Sequence, residues 1–204
     1  MIDVERWLAA GGVAILAAVV FAESGLLIGF FLPGDTLLFV AGFLSSNAGG
    51  RVLPALPVTA GVAFVAAAAG DQVGFIIGRR VGPGLFKRPQ SRLFNPTNVI
   101  RAQSFFDRRG PSAVVVARLI PVVRTFTPIV AGVGNMRYRT FLAYNLIGAA
   151  LWGVGVTTLG YYLGEIQLIK DNLDYAAIVI LVVSLTPIAL EYRRHRRAIA
   201  RANI

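Results

Sequence analysis

The stretch FAESGLLIGFFLPGDTLLFVAG, residues 21–42, most constrains what this chain can fold into. It is apolar almost throughout, yet it carries Glu23 and Asp35, and Leu32-Pro33-Gly34 lies between them. Proline and glycine side by side break a helix. Two carboxylates and a breaker inside a greasy run demand a polar environment that the run itself does not supply.

Composition says where that run sits. Of 204 residues, 56% are hydrophobic and 15% are charged, whereas a soluble domain is about 25% charged. Mean hydropathy is +0.68, and several apolar stretches approach the roughly 20 residues of a membrane helix. The expectation is an all-α polytopic membrane protein: one integral domain over residues 1–192 and a basic tail over 193–204. Residues 1–6 are mixed in charge, so no cleaved leader is expected. The sequence has no cysteine, which removes disulfides, thiol chemistry and Cys-based metal sites. Its one histidine, His195, lies in the Arg-rich tail, which argues against a phosphohistidine or a His-ligated zinc. Neither a metal nor a cofactor is expected. The net charge of +10 would suggest nucleic acid in a soluble protein. Here the bases flank apolar spans, so they read as orientation signals and no nucleic-acid partner is expected.

Along the chain, residues 58–78 and 141–163 read as clear spans, and 175–190 as a last one. Residues 46–57 form a turn-rich loop. Residues 79–109 form a basic connection with Asp107 as its single acid, in which Asn95-Pro96-Thr97 can start a surface helix through Phe106. The positive-inside rule places 79–109 and the tail in the cytoplasm and the loop at 165–174 outside. Residues 112–134 then enter and leave on one face, as a re-entrant hairpin broken near Pro121 to Pro128. The same logic makes residues 23–45 an opposed hairpin, broken at Pro33-Gly34. The halves would form an inverted repeat. At an offset of 90, Val40-Ala41-Gly42 matches Val130-Ala131-Gly132, and Gly70 and Gly74 match Gly160 and Gly164. Paired broken segments of opposite orientation are a transporter pattern, with the site near the midplane.

Non-helical backbone in hydrocarbon must line a cavity or be buried in protein. The break at Pro33-Gly34 therefore implies a polar cavity beside it. Ionisable groups in that layer are costly and become functional candidates. Glu23, Asp35, Asp71, Arg118 and Arg124 all qualify. The plain alternatives are that Asp35 caps the helix after the break, and that the five form a structural ion-pair network. In the functional reading, Arg118 and Arg124 stand six apart around Pro121 and grip a phosphate headgroup bidentately. Glu23 and Asp35 take up protons when desolvated. Asp71 is the weakest assignment: it is grouped with the proton-coupling acids, or instead serves the inner mouth. The Gly-x-x-x-Gly pairs at 70/74, 74/78 and 160/164 read as packing. Trp7, Trp152, Tyr161 and Tyr162 read as interface or packing residues. Thr36, Thr125 and Thr127 are candidates to satisfy broken backbone, and Asn145 to bond a hairpin or a neighbouring helix.

FAESGLLIGFFLPGDTLL followed by FFDRRGPSAVVVARLIPVVRTFTPIVAGVGNMRYRTFLAYNLIGAALW resembles the DedA family of bacterial inner-membrane proteins, which share a domain with eukaryotic lipid scramblases of the endoplasmic reticulum. The resemblance covers about residues 10–165. It departs at Ile28, where many members have proline, and at Leu119, where phenylalanine is frequent. It implies two opposed re-entrant hairpins and a non-enzymatic lipid transporter of the cytoplasmic membrane, linked to the proton-motive force. It places the family's acids on Glu23 and Asp35 and its arginines on Arg118 and Arg124. The expected substrate is a phosphate-headed lipid, with undecaprenyl phosphate ahead of phosphatidylethanolamine, and the expected partners are that lipid, protons and a second copy of the chain. The rival readings are a proton-dependent small-ion or drug antiporter, a non-transporting scaffold and, more weakly, a phosphatase with an Asp nucleophile.

Overall fold

Two long helices frame the structure, a computed structural model that describes residues 4–25, 33–85, 110–118 and 121–166. The surface helix expected within 95–106, the last span at 175–190, the tail from 193 and most of the basic connection lie outside the described residues. All described elements are helical, joined by turns, with no strand among them. They are α1 (Val4–Gly25), α2 (Gly34–Leu44), α3 (Leu56–Leu85), α4 (Ala113–Ala117), α5 (Pro121–Val133) and α6 (Tyr138–Ala149). A π-helical turn, Ala150–Val154, carries α6 without a stop into α7 (Gly155–Leu163).

The two frames are Leu56–Val81 within α3 and Tyr138–Leu163 through α6 and α7, each an apolar run of 26 residues. At 1.5 Å per residue each is about 39 Å long, more than the roughly 30 Å of a bilayer's hydrocarbon. Large apolar side chains face outward along both, among them Val65, Ile147, Leu151 and Leu159. The shorter apolar helices pack between and beside the frames. α1 bends at Gly12, whose φ of 54° and ψ of −145° suit only a residue without Cβ. After the bend, Leu16 and Val20 stand one turn apart and are fully buried. Ten of the eleven residues of α2 are buried, as expected of a helix apolar on every face.

α2 starts where the breaker predicts. Pro33 is its N-cap, and the Pro33 carbonyl accepts the first helical bond from Leu37 N at 2.8 Å. Its far end is pinned by hydroxyls. Ser45 Oγ donates to Ala41 O at 2.8 Å and reaches Thr59 Oγ1 at 3.0 Å, and Thr59 Oγ1 donates to Pro54 O at 3.0 Å. These bonds fasten the turn over 45–55 to the first turn of α3.

Two close helix contacts set the packing. In one, Gly42 of α2 lies on the Thr157 carbonyl of α7, and Gly160 of α7 lies on the Phe39 carbonyl of α2. In the other, Gly132 of α5 lies on the Phe75 carbonyl of α3, and Gly78 of α3 lies on the Ile129 carbonyl of α5. A Cβ at any of the four would overlap backbone. The expected glycines at 78 and 160 therefore serve helix packing. Gly70 lies on the Phe21 carbonyl of α1. Near the end of α3, Phe75 stacks on Phe141 with centroids 4.4 Å apart, joined by Val114 and Ala131.

The second expected break falls earlier than proposed. α4 ends at Ala117 with Arg118 as C-cap, and Pro121 is the first residue of α5, a position that costs no helical N–H. Pro128 is not a break: it is fully buried inside continuous α5. Proline removes the N–H that would bond the Arg124 carbonyl, a loss that membrane helices tolerate where they are packed by protein. Thr127 Oγ1 donates back to Val123 O at 2.7 Å within the same helix.

Gly160→Val is expected to force α7 off α2 and lower stability by about 1–3 kcal/mol or more. Gly61→Ala, where an added Cβ meets nothing within 4 Å, should be neutral or stabilise by up to about 1 kcal/mol. Thermal unfolding of the purified protein in detergent checks both.

Candidate functional site

The helix breaks bring the isolated charges together. Glu23 lies in the last turn of α1 and Asp35 in the first turn of α2. Arg118 caps α4, and Arg124 lies in the first turn of α5. Asp71 and Asn145 come from the interiors of α3 and α6, and Trp152 from the π-helical turn. Each short helix thus ends at the cluster, while the long helices pass it near their middles.

The acids divide between the arginines. Arg124 is clasped by two acids: its Nη1 donates to Asp35 Oδ1 at 2.6 Å and its Nη2 to Glu23 Oε1. Arg118 donates through Nη1 to Asp71 Oδ2 and to Asn145 Oδ1, the latter at 2.7 Å. Asn145 Nδ2 in turn donates to the Ala68 carbonyl of α3 at 3.1 Å. Asn145 thereby bonds both the broken segment and the neighbouring helix. Asp71 does not stand at the inner mouth: it belongs to the central cluster as the partner of Arg118. All five charged side chains are at most 10% exposed.

Asp35 does not cap α2 through its side chain. It sits in the first turn, where the helix dipole favours an anion, and its carboxylate faces Arg124. Gly34 suits the same geometry, because a Cβ there would fall on the Glu23 carboxylate and push it from its place at Arg124. The Pro33-Gly34 break is therefore what lets the end of α1 and the start of α2 present both acids to one guanidinium. Thr127 bonds the Val123 carbonyl within continuous α5, not a broken segment, and Thr36 is the one residue of α2 that is not buried.

The sequence reading missed Trp152. Its Nε1 donates to Asp35 Oδ1 at 2.6 Å. Its ring lies 4.3 Å from Arg124 Cζ and 5.6 Å from Arg118 Cζ, within reach of cation–π attraction. One indole thus touches both arginine systems and fixes one acid. The available signal was spacing: Trp152 follows the polar Asn145 by seven residues on one helix, hence on nearly the same face.

With every group ionised, the cluster holds two positive and three negative charges, a net charge of −1. Among the described residues, Arg118 Nη2 is buried without a hydrogen-bond partner. The arrangement can hold cations and anions in register, and it retains a donor for a further group.

The VTT domain profile matches residues 32–162 of the chain. The chain is 43% identical over 189 residues to Protein DedA of Escherichia coli K12, covering 93% of this chain and 85% of that one. It is 40% identical over 208 residues to an uncharacterized membrane protein of Mycobacterium tuberculosis, covering 97% and 88%. It is 39% identical over 183 residues to another from Mycobacterium leprae, covering 90% and 80%. No solved structure matches it.

Asp71→Ala leaves Arg118 as a buried charge without a counter-charge and should cost about 3–5 kcal/mol. Trp152→Phe removes one hydrogen bond to a charged oxygen while keeping an aromatic ring, and should cost about 1.5–3 kcal/mol. Unfolding of both variants beside the unsubstituted protein checks the ranking, and equal tolerance of the two would contradict it.

Proposed function

The chain belongs to the DedA family of VTT-domain membrane proteins, and from that premise we propose that it moves a phosphate-headed lipid between the leaflets of the bacterial cytoplasmic membrane, coupled to protons. Undecaprenyl phosphate is the preferred substrate. One observation carries the reading: two arginines and three carboxylates are buried together where the helices break. Charges in hydrocarbon are expensive, and a small protein accepts that cost for a pathway or a relay.

The roles follow from the pairing. Arg124, held by two acids from the α1–α2 break, is the exchangeable grip: a phosphate replaces the carboxylates on its planar fork. Glu23 and Asp35 take up protons as they are displaced, which keeps the cluster near neutrality. Arg118 adds its unspent Nη2 donor to the same headgroup, while Asp71 and Asn145 hold it in place.

The architecture that suits this role is a pair of opposed re-entrant hairpins over about 23–45, which holds α2, and 112–134, which holds α4 and α5, in an inverted repeat. The exchanged glycine contacts support it. The contacts of α2 on α7 recur as those of α5 on α3, with the short helices related by 90 residues (39 to 129, 42 to 132) and the long ones by 82 (75 to 157, 78 to 160). By the positive-inside rule the arginine-bearing ends of α3 and α6 face the cytoplasm, as does the C-terminus. A second reading, a non-transporting scaffold, is favoured by the pairing of every acid in the cluster with an arginine.

The test is leaflet accessibility in liposomes holding purified protein, comparing undecaprenyl phosphate with phosphatidylethanolamine, with and without a pH gradient. The expected result is gradient-dependent movement of the phosphate lipid that falls at least tenfold in Arg124→Gln. Folded protein that moves neither lipid would favour the scaffold.

A further inference from the structure

A second basic site lies at the end of the long helices, away from the central cluster. Arg79 of α3, Asn135 in the turn after α5, and Arg137, Tyr138, Arg139 and Thr140 at the start of α6 line an open pocket of about 730 Å³. That volume is within the usual range for small-molecule sites, about 300–1,000 Å³. None of the three arginines forms an ion pair or side-chain hydrogen bond with a described residue, and no acid lines the pocket.

The positive-inside rule accounts for the sign of these residues. It does not account for their convergence, which is built by the backbone. α5 ends in a Schellman motif: Met136 N donates to Ala131 O at 3.0 Å, Asn135 N donates to Gly132 O at 3.2 Å, and Asn135 takes the left-handed conformation with φ 54°. The chain then turns extended at Arg137, the N-cap of α6, whose side chain makes no capping bond. The first N–H groups of a long helix are thus left without a side-chain cap beside three guanidinium groups. The Gly132 contact with the Phe75 carbonyl holds the end of α5 against α3 at this level.

We propose that this pocket binds the phosphate headgroup of an anionic membrane lipid. Guanidinium forks and helix-terminal N–H groups are phosphate ligands, and basic pockets between membrane helices collect anionic headgroups. Tyr138, 44% exposed at the rim, suits the interface between headgroup and chain. Asp71 lies eight residues from Arg79 on α3, and Arg124 lies eight residues from Gly132 on α5, so the pocket is about 12 Å from the central cluster along two packed helices. On the transport reading above, it is the station from which a headgroup passes to Arg124. That clause rests on that reading, whereas the binding does not.

The experiment is native mass spectrometry of the full chain in detergent, with phosphatidic acid, phosphatidylcholine or inorganic phosphate as probe. The expected result is retention of phosphatidic acid over phosphatidylcholine, weakened about fivefold for each arginine removed. It is read in Arg139→Gln and in the triple variant Arg79→Gln/Arg137→Gln/Arg139→Gln, all three at exposed positions, with thermal unfolding of each variant run alongside. Unchanged retention in the triple variant overturns the proposal. So does retention lost in Arg124→Gln but not in the triple variant, or binding of inorganic phosphate with equal affinity. Binding that obeys the proposal in protein that moves no lipid would count against transport alone.

Discussion

Holding five charges away from water is the constraint on which the centre of this molecule depends. Each guanidinium and carboxylate would cost several kcal/mol alone in a low-dielectric interior. The chain meets that cost by bringing the ends of its short helices to one point, so that each acid finds an arginine. The breaks are the means of pairing. A continuous helix through Pro33-Gly34 would carry Glu23 and Asp35 about 18 Å apart along one axis. Broken there, it offers both acids to Arg124. Gly34 completes the device, because its bare Cα leaves the Glu23 carboxylate where it meets Arg124.

The long helices hold the point in place. α3 and the α6–α7 helix contribute Asp71, Asn145 and Trp152 from the middle of their length, and Asn145 ties them together through the Ala68 carbonyl. Trp152 sits in the π-helical turn, and such turns are frequent at functional sites. Its indole gives one wall to both arginines. The reciprocal glycine contacts then clamp each short helix to a long one, α2 to α7 and α5 to α3. A shift of either short helix against its partner would carry an acid or an arginine with it, which links packing directly to the state of the ion pairs.

Much of this was legible in the sequence, for a simple reason. A charge in an apolar run and a Pro-Gly pair are local signals, so Glu23, Asp35, Asp71, Arg118, Arg124 and the first break could be named from the chain alone. The resemblance to the DedA family pointed to the family to which the chain belongs. Partners are a tertiary property and were not legible: Asp71 was grouped with the proton-coupling acids or the inner mouth, yet it pairs with Arg118 across 47 residues of chain. Trp152 was read as packing because an aromatic in a membrane chain usually is. Pro128 was read as a break because proline breaks isolated helices, whereas here buried α5 keeps it within one continuous helix. The offset of 90 set Gly70 beside Gly160 in sequence, whereas their contacts differ in kind: Gly70 lies on the Phe21 carbonyl of α1 and Gly160 on the Phe39 carbonyl of α2, partners that sequence spacing does not reveal.

The most direct measurement of the central claim is a double-mutant cycle between Glu23 and Arg124, reading unfolding free energy for Glu23→Gln, Arg124→Gln and the pair together. If the two charges hold one another, each single variant leaves the other uncompensated, and the double variant loses less than the sum of the singles by about 0.5–3 kcal/mol. Losses that simply add, to within about 0.5 kcal/mol, would mean that the two residues do not sense one another and that the ion pair is not what holds the broken helices together.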